Sequence, residues 1–307
     1  MKTYRKNILR TIQSTRGRFL AIFAIVALGV GFLAGLLSTT PDIGDSMERY
    51  LDAAHFYDFK IVSTLGLTEQ DVAALRALPG VGVLQAAYSA DVLLERQGGE
   101  TEVARLHSLP ADAAGDPAGP DALNRPALTE GRWPAADDEC VVEEGGSLHG
   151  SQPRVGETIT VSPDNEKIGE KLDRTSFRVV GKVRNPYYFS YEREPASVGS
   201  GSVAVVFYLR PGAFAYTAYT EIYGSVTGAA PLDSLSAAYR QKVAAVTEAA
   251  EGIADARCAA RYDEVTSDAR QKIDDARQEY EDAKAEAEQK LSDAAQALAD
   301  GRQALQE

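Results

Sequence analysis

The sequence predicts an α+β protein with one membrane-spanning helix, a mixed α/β domain outside the membrane and a long helix after it. Three observations support this. Residues 19–37 form an uncharged apolar run behind a basic tail. Short strand-like runs alternate with turn signals in the middle of the chain, and no proline follows position 231 in a stretch rich in Ala and charged residues. The predicted divisions are a basic tail at 1–18, a transmembrane helix at 19–38, a core domain at 39–230 and an incomplete coiled-coil helix at 231–307.

The apolar run Phe19–Leu37 is nearly long enough to cross a bilayer, because nineteen helical residues at about 1.5 Å each approach a hydrocarbon core of roughly 30 Å. Six basic and no acidic side chains precede the run. The positive-inside rule therefore places the N-terminus in the cytoplasm and residues after about 39 outside the cell membrane.

Two other interpretations of the run were weighed. A cleaved signal peptide has an apolar stretch usually under about 15 residues and a small-residue cleavage site, but this run is longer and ends in Leu-Leu-Ser-Thr-Thr-Pro. A buried helix of a soluble protein would need partners on all its faces. Within the run, Ala27, Gly31 and Gly35 fall four residues apart and form a small-residue face that another transmembrane helix can approach closely.

The charge and the cysteine content argue against a nucleic-acid-binding protein and against a disulfide-stabilised scaffold. The formal charge is −13, and an acidic exterior argues against nucleic-acid binding, which needs clustered Lys and Arg. The two cysteines, Cys140 and Cys258, are too few for a disulfide scaffold. Because Cys140 lies in a strand-like run and Cys258 in an Ala-rich helical run, two separate buried or half-buried thiols are favoured over a bridge.

The first part of the core domain predicts a β-α-β unit. Residues 59–63 form a short apolar strand, and Thr68 with Asp71 three positions later indicates a helix N-terminus. Apolar residues at helical spacing follow, and Pro79-Gly80 ends the helix. Residues 81–95 form a long strand-forming run, so the unit is expected to close on itself.

The rest of the core domain predicts a β-rich lobe. Residues 107–126 indicate an irregular linker because they are rich in Pro, Ala, Gly and Asp. Short strands are predicted at 139–143, 158–162, 177–183, 202–209 and 221–227. The aromatic residues of this lobe either pack its inner face or offer a contact surface to a partner. Packing is favoured, with residues 187–191 the part expected to be exposed.

The C-terminal helix carries a heptad seam that needs a partner. The seam alternates steps of four and three and resumes after one extra step of four: Ala269, Ile273, Ala276, Tyr280, Ala283, Ala287, Leu291, Ala294 and Leu298. Asp268 with Lys272 and Glu286 with Lys290 are acid-before-base pairs four residues apart. Because an Ala-rich seam buries little apolar area, this helix is not expected to be strongly stable alone.

Four short sequence motifs follow the predicted transmembrane helix. They are Gly131-Arg132-Trp133-Pro134, Asp138-Glu139-Cys140-Val141-Val142, Val155-Gly156-Glu157 and Val179-Val180-Gly181. This series resembles the periplasmic core domain of FtsX-like, MacB-type ABC transporter permeases, over residues 1–230. From the residues alone, Gly131 and Gly156 are expected to supply turn geometry, and Arg132 is interpreted as a solvated turn charge rather than a partner of Asp137, Asp138 or Glu139.

The resemblance implies a permease or mechanotransmission subunit that exports or releases a substrate with a separate cytoplasmic ABC ATPase. It further implies contacts with the lipid bilayer, other permease transmembrane helices or a second permease copy, and a coiled-coil partner strand. In such permeases the coiled coil doubles back and further membrane helices follow, so the sequence is expected to be an incomplete permease. The alternative is a single-pass envelope adaptor or sensor whose coiled coil docks a partner protein.

The sequence predicts no catalytic, cofactor or metal site. The phosphate-loop pattern is missing from the sequence. His55, His107 and His149 are scattered singly, whereas metal ligation needs companions at workable spacing. Ser147 and His149 lie two residues apart and lack the separate group that orients a catalytic base. The sequence therefore predicts a protein that is not an enzyme.

Overall fold

The computed structural model describes residues 2–95, 101–110, 117, 119–145, 152–187, 193, 195–199 and 201–304. The helices of this part are α1 (Lys2–Ser14), α2 (Arg16–Ala53), α3 (Glu69–Arg76), α4 (Ile168–Lys171) and α5 (Ala237–Ala304). The strands are β1 (Phe59–Leu67), β2 (Val81–Ala87), β3 (Ser89–Glu95), β4 (Thr101–Ser108), β5 (Ala127–Gly131), β6 (Glu139–Glu143), β7 (Thr158–Thr160), β8 (Ser176–Arg184), β9 (Val205–Leu209) and β10 (Tyr219–Val226). The predicted mixed α and β class, with an apolar N-terminal helix and a long C-terminal helix, is confirmed.

Helix α2 contains the whole predicted membrane span and continues beyond it. It has 38 residues and, within the described part of the chain, it alone is long and apolar enough to cross a membrane. The hydroxyls of Ser38 and Thr39 both donate to the carbonyl of Gly35, at 3.1 and 2.7 Å, so these polar residues do not end the helix. One helix therefore joins the apolar span to the start of the folded domain.

Strands β1, β10 and β2 form a three-stranded sheet in that order. Both outer strands run antiparallel to β10, so β1 and β2 are parallel to each other. The expected β-α-β unit exists, but it does not close on itself, because β10 lies between its strands. Ile222 of β10 is fully buried, and it packs with Ile61 and Leu84 from the two sides.

Gly224 makes the close packing of this sheet feasible. It lies opposite Phe59 in the β1–β10 pairing, and a Cβ built at position 224 would lie 2.5 Å from Cε1 of Phe59. Any side chain larger than a hydrogen would overlap the aromatic ring. The glycine therefore lets the Phe59 ring lie flat against the sheet backbone.

Helix α3 begins and ends where the sequence predicts. The carboxylate of Asp71 accepts hydrogen bonds from the Thr68 backbone N–H at 2.7 Å and from the Thr68 hydroxyl at 2.8 Å. This arrangement satisfies a free donor at the helix N-terminus. The helix ends at Arg76, shortly before Pro79 and Gly80. The capping prediction is confirmed.

The remaining strands form a seven-stranded mixed sheet in the order β3-β4-β9-β6-β8-β5, with β7 also on β8. Leu94 of β3 bridges to Val161, just after β7, so the sheet curls until its ends meet. Its concave side holds the main core, which includes the fully buried side chains of Val92, Leu94, Leu106, Phe177, Phe207 and Leu209.

Two predictions for this region need correction, and one strand was not predicted. The run 81–95 is not one strand, because it breaks at Tyr88 into β2 and β3, which belong to different sheets. The linker predicted from residue 107 begins too early, because His107 and Ser108 end strand β4. Residues 127–131 form strand β5, for which no strand was predicted. In each case a long-range strand pairing overrides the local composition.

Arg132 forms an ion pair with Glu139 although half of its side chain is exposed, so the interpretation of Arg132 as a solvated charge without this partner was wrong. Its guanidinium donates to both carboxylate oxygens of Glu139, at 2.7 and 2.5 Å, and Arg178 donates to the same carboxylate at 2.7 Å. The Glu139 side chain is almost fully buried. Gly131 and Gly156 have φ of 78° and 95°, which confirms the turn geometry expected of them.

Helix α5 has 68 residues, and its first third packs on the three-stranded sheet. Val246 is buried against Phe59 and Val226, and Ala250 and Ile253 contact the cluster around Ile222. Arg257 extends this contact with an ion pair to Asp71 at 2.7 Å. Beyond residue 266 the described side chains of α5 are exposed.

The two cysteines do not form a disulfide. Cys140 is fully buried in β6, as expected. Cys258 lies exposed on α5, so the expectation of a buried or half-buried thiol was wrong for this residue. The two cysteines lie in different parts of the fold, because Cys140 belongs to the curled sheet and Cys258 to α5, which packs on the three-stranded sheet.

Candidate functional site: the junction of the apolar helix, the core and the long helix

The C-terminal end of α2 is held by the segment that precedes β5. The carbonyls of Ala54 and His55 accept hydrogen bonds from the backbone N–H groups of Arg125 at 2.8 Å and Asn124 at 2.9 Å. The last carbonyls of a helix have no partner within the helix, so these bonds satisfy them with the core domain. Asn124 is fully buried and its side-chain oxygen accepts the N–H of Tyr57 at 3.1 Å.

Asp58 connects the start of β1 to both β10 and α5. One of its carboxylate oxygens accepts the backbone N–H of Val226 at 2.6 Å, and the other accepts the Tyr239 hydroxyl at 2.6 Å. Burial and the bond to Asp58 raise the pKa of Tyr239, so its hydroxyl keeps its proton and remains a donor. The carboxylate thus joins three elements at one point.

A second carboxylate ties α2 to the segment that leads into α5. Glu48, on the last turns of α2, accepts the backbone N–H of Ser234 at 3.0 Å and also the Ser234 hydroxyl. Ser234 lies just before the first turn of α5. The helix that carries the apolar span is therefore bonded to the start of the long helix.

A third contact ties α2 to the curled sheet. The Tyr50 hydroxyl donates to the backbone carbonyl of Asn185 at 3.1 Å. The side chain of Asn185 donates to Glu143 at 3.2 Å and accepts the Tyr208 hydroxyl at 2.7 Å. Because Glu143 and Tyr208 are buried in strands β6 and β9, Tyr50 contacts a residue fixed within the core of the second sheet.

A cavity of about 770 Å³ lies within the junction. Apolar side chains from α2, β2 and the segment before α5 line it, including Leu51, Phe56, Val83 and Leu232. Glu48, Asp52 and Asp58 contribute carboxylates to the lining. The space between α2 and α5 is thus only partly filled by the side chains that join them.

An aromatic cluster joins the two sheets behind this junction. Tyr187 stacks on His107 with ring centroids 4.9 Å apart and contacts Tyr223 at 5.6 Å. Tyr223 in turn contacts Tyr57 at 4.9 Å. Packing, the favoured alternative for these aromatic residues, is confirmed for this cluster.

Tyr187 was expected to be exposed, and that expectation was wrong. The Asn185 side chain accepts the backbone N–H of Tyr187 at 2.9 Å, and this local turn directs the ring into the cluster. The other residues of that segment, 188–191, lie outside the described part of the chain.

Burial lowers the pKa of His107 from its ordinary value of 6.5 to about 4. The groups that face it are Lys60, Asp91, Arg105 and Glu221, and Lys60 forms an ion pair with Glu221 at 2.9 Å. His107 is therefore a neutral ring at neutral pH, and its place in an aromatic stack fits a packing role.

The other residues weighed as site candidates are not brought together. The described residues contain no group of three or more His, Cys, Asp or Glu side chains that could hold a metal ion. Ser147 and His149 lie outside the described residues. Ala27, Gly31 and Gly35 are exposed on α2, and a Cβ at either glycine would meet nothing within 4 Å, so this face is open to an approaching helix.

The junction was not predicted from the sequence. Asp58 and Tyr239 are 181 residues apart, and Glu48 and Ser234 are 186 apart. Single polar residues at such separations carry no local pattern that distinguishes them from solvated surface residues. The one available signal is that α2 and α5 flank the core domain in the sequence, which places their near ends in the same region.

No protein-family profile and no curated protein sequence matches this chain. Among solved structures, it is similar to the extracellular domain of the noncanonic ABC-type transporter YknZ from Gram-positive bacteria, with 11% identity, a TM-score of 0.33 and coverage of 59% of this chain and 80% of that one. It is also similar to the periplasmic region of MacB from Actinobacillus actinomycetemcomitans, with 12% identity, a TM-score of 0.34 and coverage of 63% and 75%, respectively.

Proposed function

We propose that this chain provides the membrane anchor, outer core domain and coiled-coil helix of a permease subunit of an ABC transporter. The subunit exports or releases its substrate with energy from a separate cytoplasmic ATPase. The observation that carries this proposal is the continuous helix α2, which runs from the apolar span into a junction bonded to both sheets and to α5. The four ordered sequence motifs support the same assignment.

The proposed role of the junction is mechanical transmission. A helix is stiff along its axis, and the ties through Glu48, Tyr50 and the end of α2 leave it little freedom to move separately from the core domain. A tilt or shift of α2 in the membrane would then move the core domain and α5 as one body, which is a rigid-body transition of the hinge or shear type.

The proposed arrangement follows the charge and hydropathy pattern. Residues 1–18 lie in the cytoplasm, 19–38 cross the cell membrane, 39–230 form the core domain outside and 231–307 form the coiled-coil strand. The face at Ala27, Gly31 and Gly35 packs on other permease helices or on a second permease copy. The ATPase is a separate chain that binds on the cytoplasmic side, as the resemblance to ABC transporter permeases implies.

The test is to purify the protein from membranes of its own host in mild detergent and to identify the proteins that copurify by mass spectrometry. We expect an ABC ATPase in stoichiometric amount, and we expect its ATP hydrolysis to respond to addition of the purified protein. A membrane protein of similar size with an unrelated single span is the control. Purification without any ABC ATPase would contradict the proposal.

The exposed distal part of α5 also fits the second function considered, a single-pass adaptor or sensor in the cell envelope. That function requires a docking partner outside the membrane and no ATPase. The same purification separates the two, because an adaptor would recover an envelope protein through α5 and would leave ATP hydrolysis unchanged.

A further inference from the structure

The distal part of α5 bears an apolar stripe that the described residues leave uncovered. The stripe consists of Tyr262, Val265, Ile273, Tyr280, Leu291 and Leu298, whose exposed fractions range from 40% to 70%. At about 100° per residue these six side chains lie within roughly 50° of one line along the helix. Isolated exposed apolar residues are ordinary on a protein surface, but an aligned series marks a contact surface.

The stripe does not continue the face of α5 that packs on the core. That face consists of Tyr239, Val243, Val246, Ala250 and Ile253. Helical geometry places the centre of the stripe about 130° around the axis from the centre of this face. A helix that covers the stripe therefore lies beside α5 and does not enter between α5 and the three-stranded sheet.

The charges around the stripe are strongly sorted. Residues 268–300 contain ten acidic and five basic residues, so this part of the helix is acidic as a whole. Lys272, Arg277, Lys284 and Lys290 nevertheless all lie within about 70° of the centre of the stripe. The positions directly beside the heptad seam are mainly basic, because Arg270, Lys272, Arg277, Lys284 and Lys290 occupy them and only Glu279 and Glu286 interrupt the series. The stripe thus has mainly basic borders on an acidic helix.

We infer that the stripe binds an amphipathic helix whose own apolar stripe is bordered by acidic residues. Border residues of paired helices face each other across the seam and set the choice of partner. A second copy of α5 would bring basic borders together, so charge disfavours self-association through this surface. This inference rests on the proposed function for the presence of a coiled-coil partner, and it adds the charge of that partner.

The test uses the full chain in detergent micelles and two fluorescent helical peptides of equal length. Both peptides carry the same Leu and Ala stripe, and their borders are entirely Glu in one and entirely Lys in the other. Fluorescence anisotropy should show that the Glu peptide binds at least about tenfold more tightly at low salt, a difference of about 1.4 kcal/mol. Added salt should reduce the difference.

Variants of α5 distinguish the effect of the residues that border the stripe from the effect of the total charge of the helix. Arg277→Glu should weaken binding of the Glu peptide, whereas the same substitution at Arg240, which is exposed on α5 before the stripe begins, should change it much less. Replacing Lys272, Arg277, Lys284 and Lys290 together by Glu should reverse the preference between the peptides. Circular dichroism of each variant is the control for helix content, because Arg277, Lys284 and Lys290 also form ion pairs with Asp274, Glu281 and Glu286 on the same helix.

Equal binding of the two peptides, or binding of neither, would overturn the inference. So would a dimer of the full chain that is cross-linked through Cys258, which lies at the start of the stripe. None of these results depends on an ATPase, so failure here is distinguishable from failure of the proposed transport role.

Discussion

His107 is a buried, neutral imidazole in the aromatic cluster between the two sheets, and its surroundings make stability depend on pH. Its pKa is lowered by burial to about 4 in the folded protein, while an exposed histidine in the unfolded chain titrates near 6.5. Between these values the unfolded chain binds more protons than the folded protein. Stability therefore falls as the pH decreases from about 6.5 to 4.

We expect acidification through this range to reduce the free energy of unfolding by about 3 kcal/mol through His107. Thermal unfolding of the full chain in detergent, followed by Trp133 fluorescence, measures the effect. A His107→Phe variant keeps an aromatic ring in the stack and removes the titrating group, so its unfolding temperature should change much less between pH 7 and pH 5. An identical pH dependence in both proteins would contradict the role given to His107.

The contribution of the paired carboxylates to stability changes over a lower pH range than the contribution of His107. Burial raises the pKa values of Asp71 and Asp91, but the hydrogen bonds and ion pairs that they form with Arg257 and Arg105 outweigh this effect, so both pKa values lie below their ordinary value. Stability contributed by such groups is present above their ordinary pKa values and is lost as the pH falls through the lowered ones. Their contribution thus changes mainly below about pH 4, where the His107 contribution is already complete.

At the scale of elements, the three-stranded sheet depends on close contact between β1 and β10. Gly224→Ala would place a methyl group in the ring of Phe59, and we expect a loss of about 1–3 kcal/mol from overpacking. Urea unfolding of the full chain in detergent measures this. Gly169→Ala is the matched control, because a Cβ there meets nothing within 4 Å. Equal stability of the two variants would contradict the packing described for this sheet.

Elements with strong local signals were predicted from the sequence, and those determined by distant contacts were not. The cap formed by Thr68 and Asp71 located α3 because both partners lie within one turn. Strand 139–143 was predicted with its observed bounds because its three central residues, Cys140, Val141 and Val142, are apolar and two of them are β-branched. The insertion of β10 between β1 and β2 depends on pairing across more than 130 residues, and no local pattern encodes it.

For charged residues too, pairs that are close in sequence were predicted and pairs that depend on distant partners were not. Arg132 was interpreted as solvated because its acidic neighbours lie in a turn, whereas the structure buries Glu139 between Arg132 and Arg178. The second partner of this carboxylate, Arg178, is 39 residues from Glu139, so no local pattern indicates the three-residue cluster. The exposed pair Glu286–Lys290, at 2.6 Å, was predicted because both of its members lie on one helical turn.

In the whole molecule, α2, the core domain and α5 are expected to move together. Their contacts at Asp58 and Glu48 join residues that the sequence separates by more than 160 positions. A region held by several partly buried hydrogen bonds opens less readily than one held by exposed contacts. We therefore expect a fixed distance between the end of α2 and the start of α5.

Double electron–electron resonance on the full chain in lipid nanodiscs tests this claim most directly. Spin labels are placed at Arg49→Cys and Arg240→Cys, both exposed, with Cys258→Ser to remove the exposed native thiol. We expect a single narrow distance distribution that broadens when Asp58 and Glu48 are both replaced by Ala and stays narrow with the exposed control Asp45→Ala. A broad distribution in the otherwise unaltered chain, no narrower than in the double variant, would contradict the coupling of α2 to the core domain and α5.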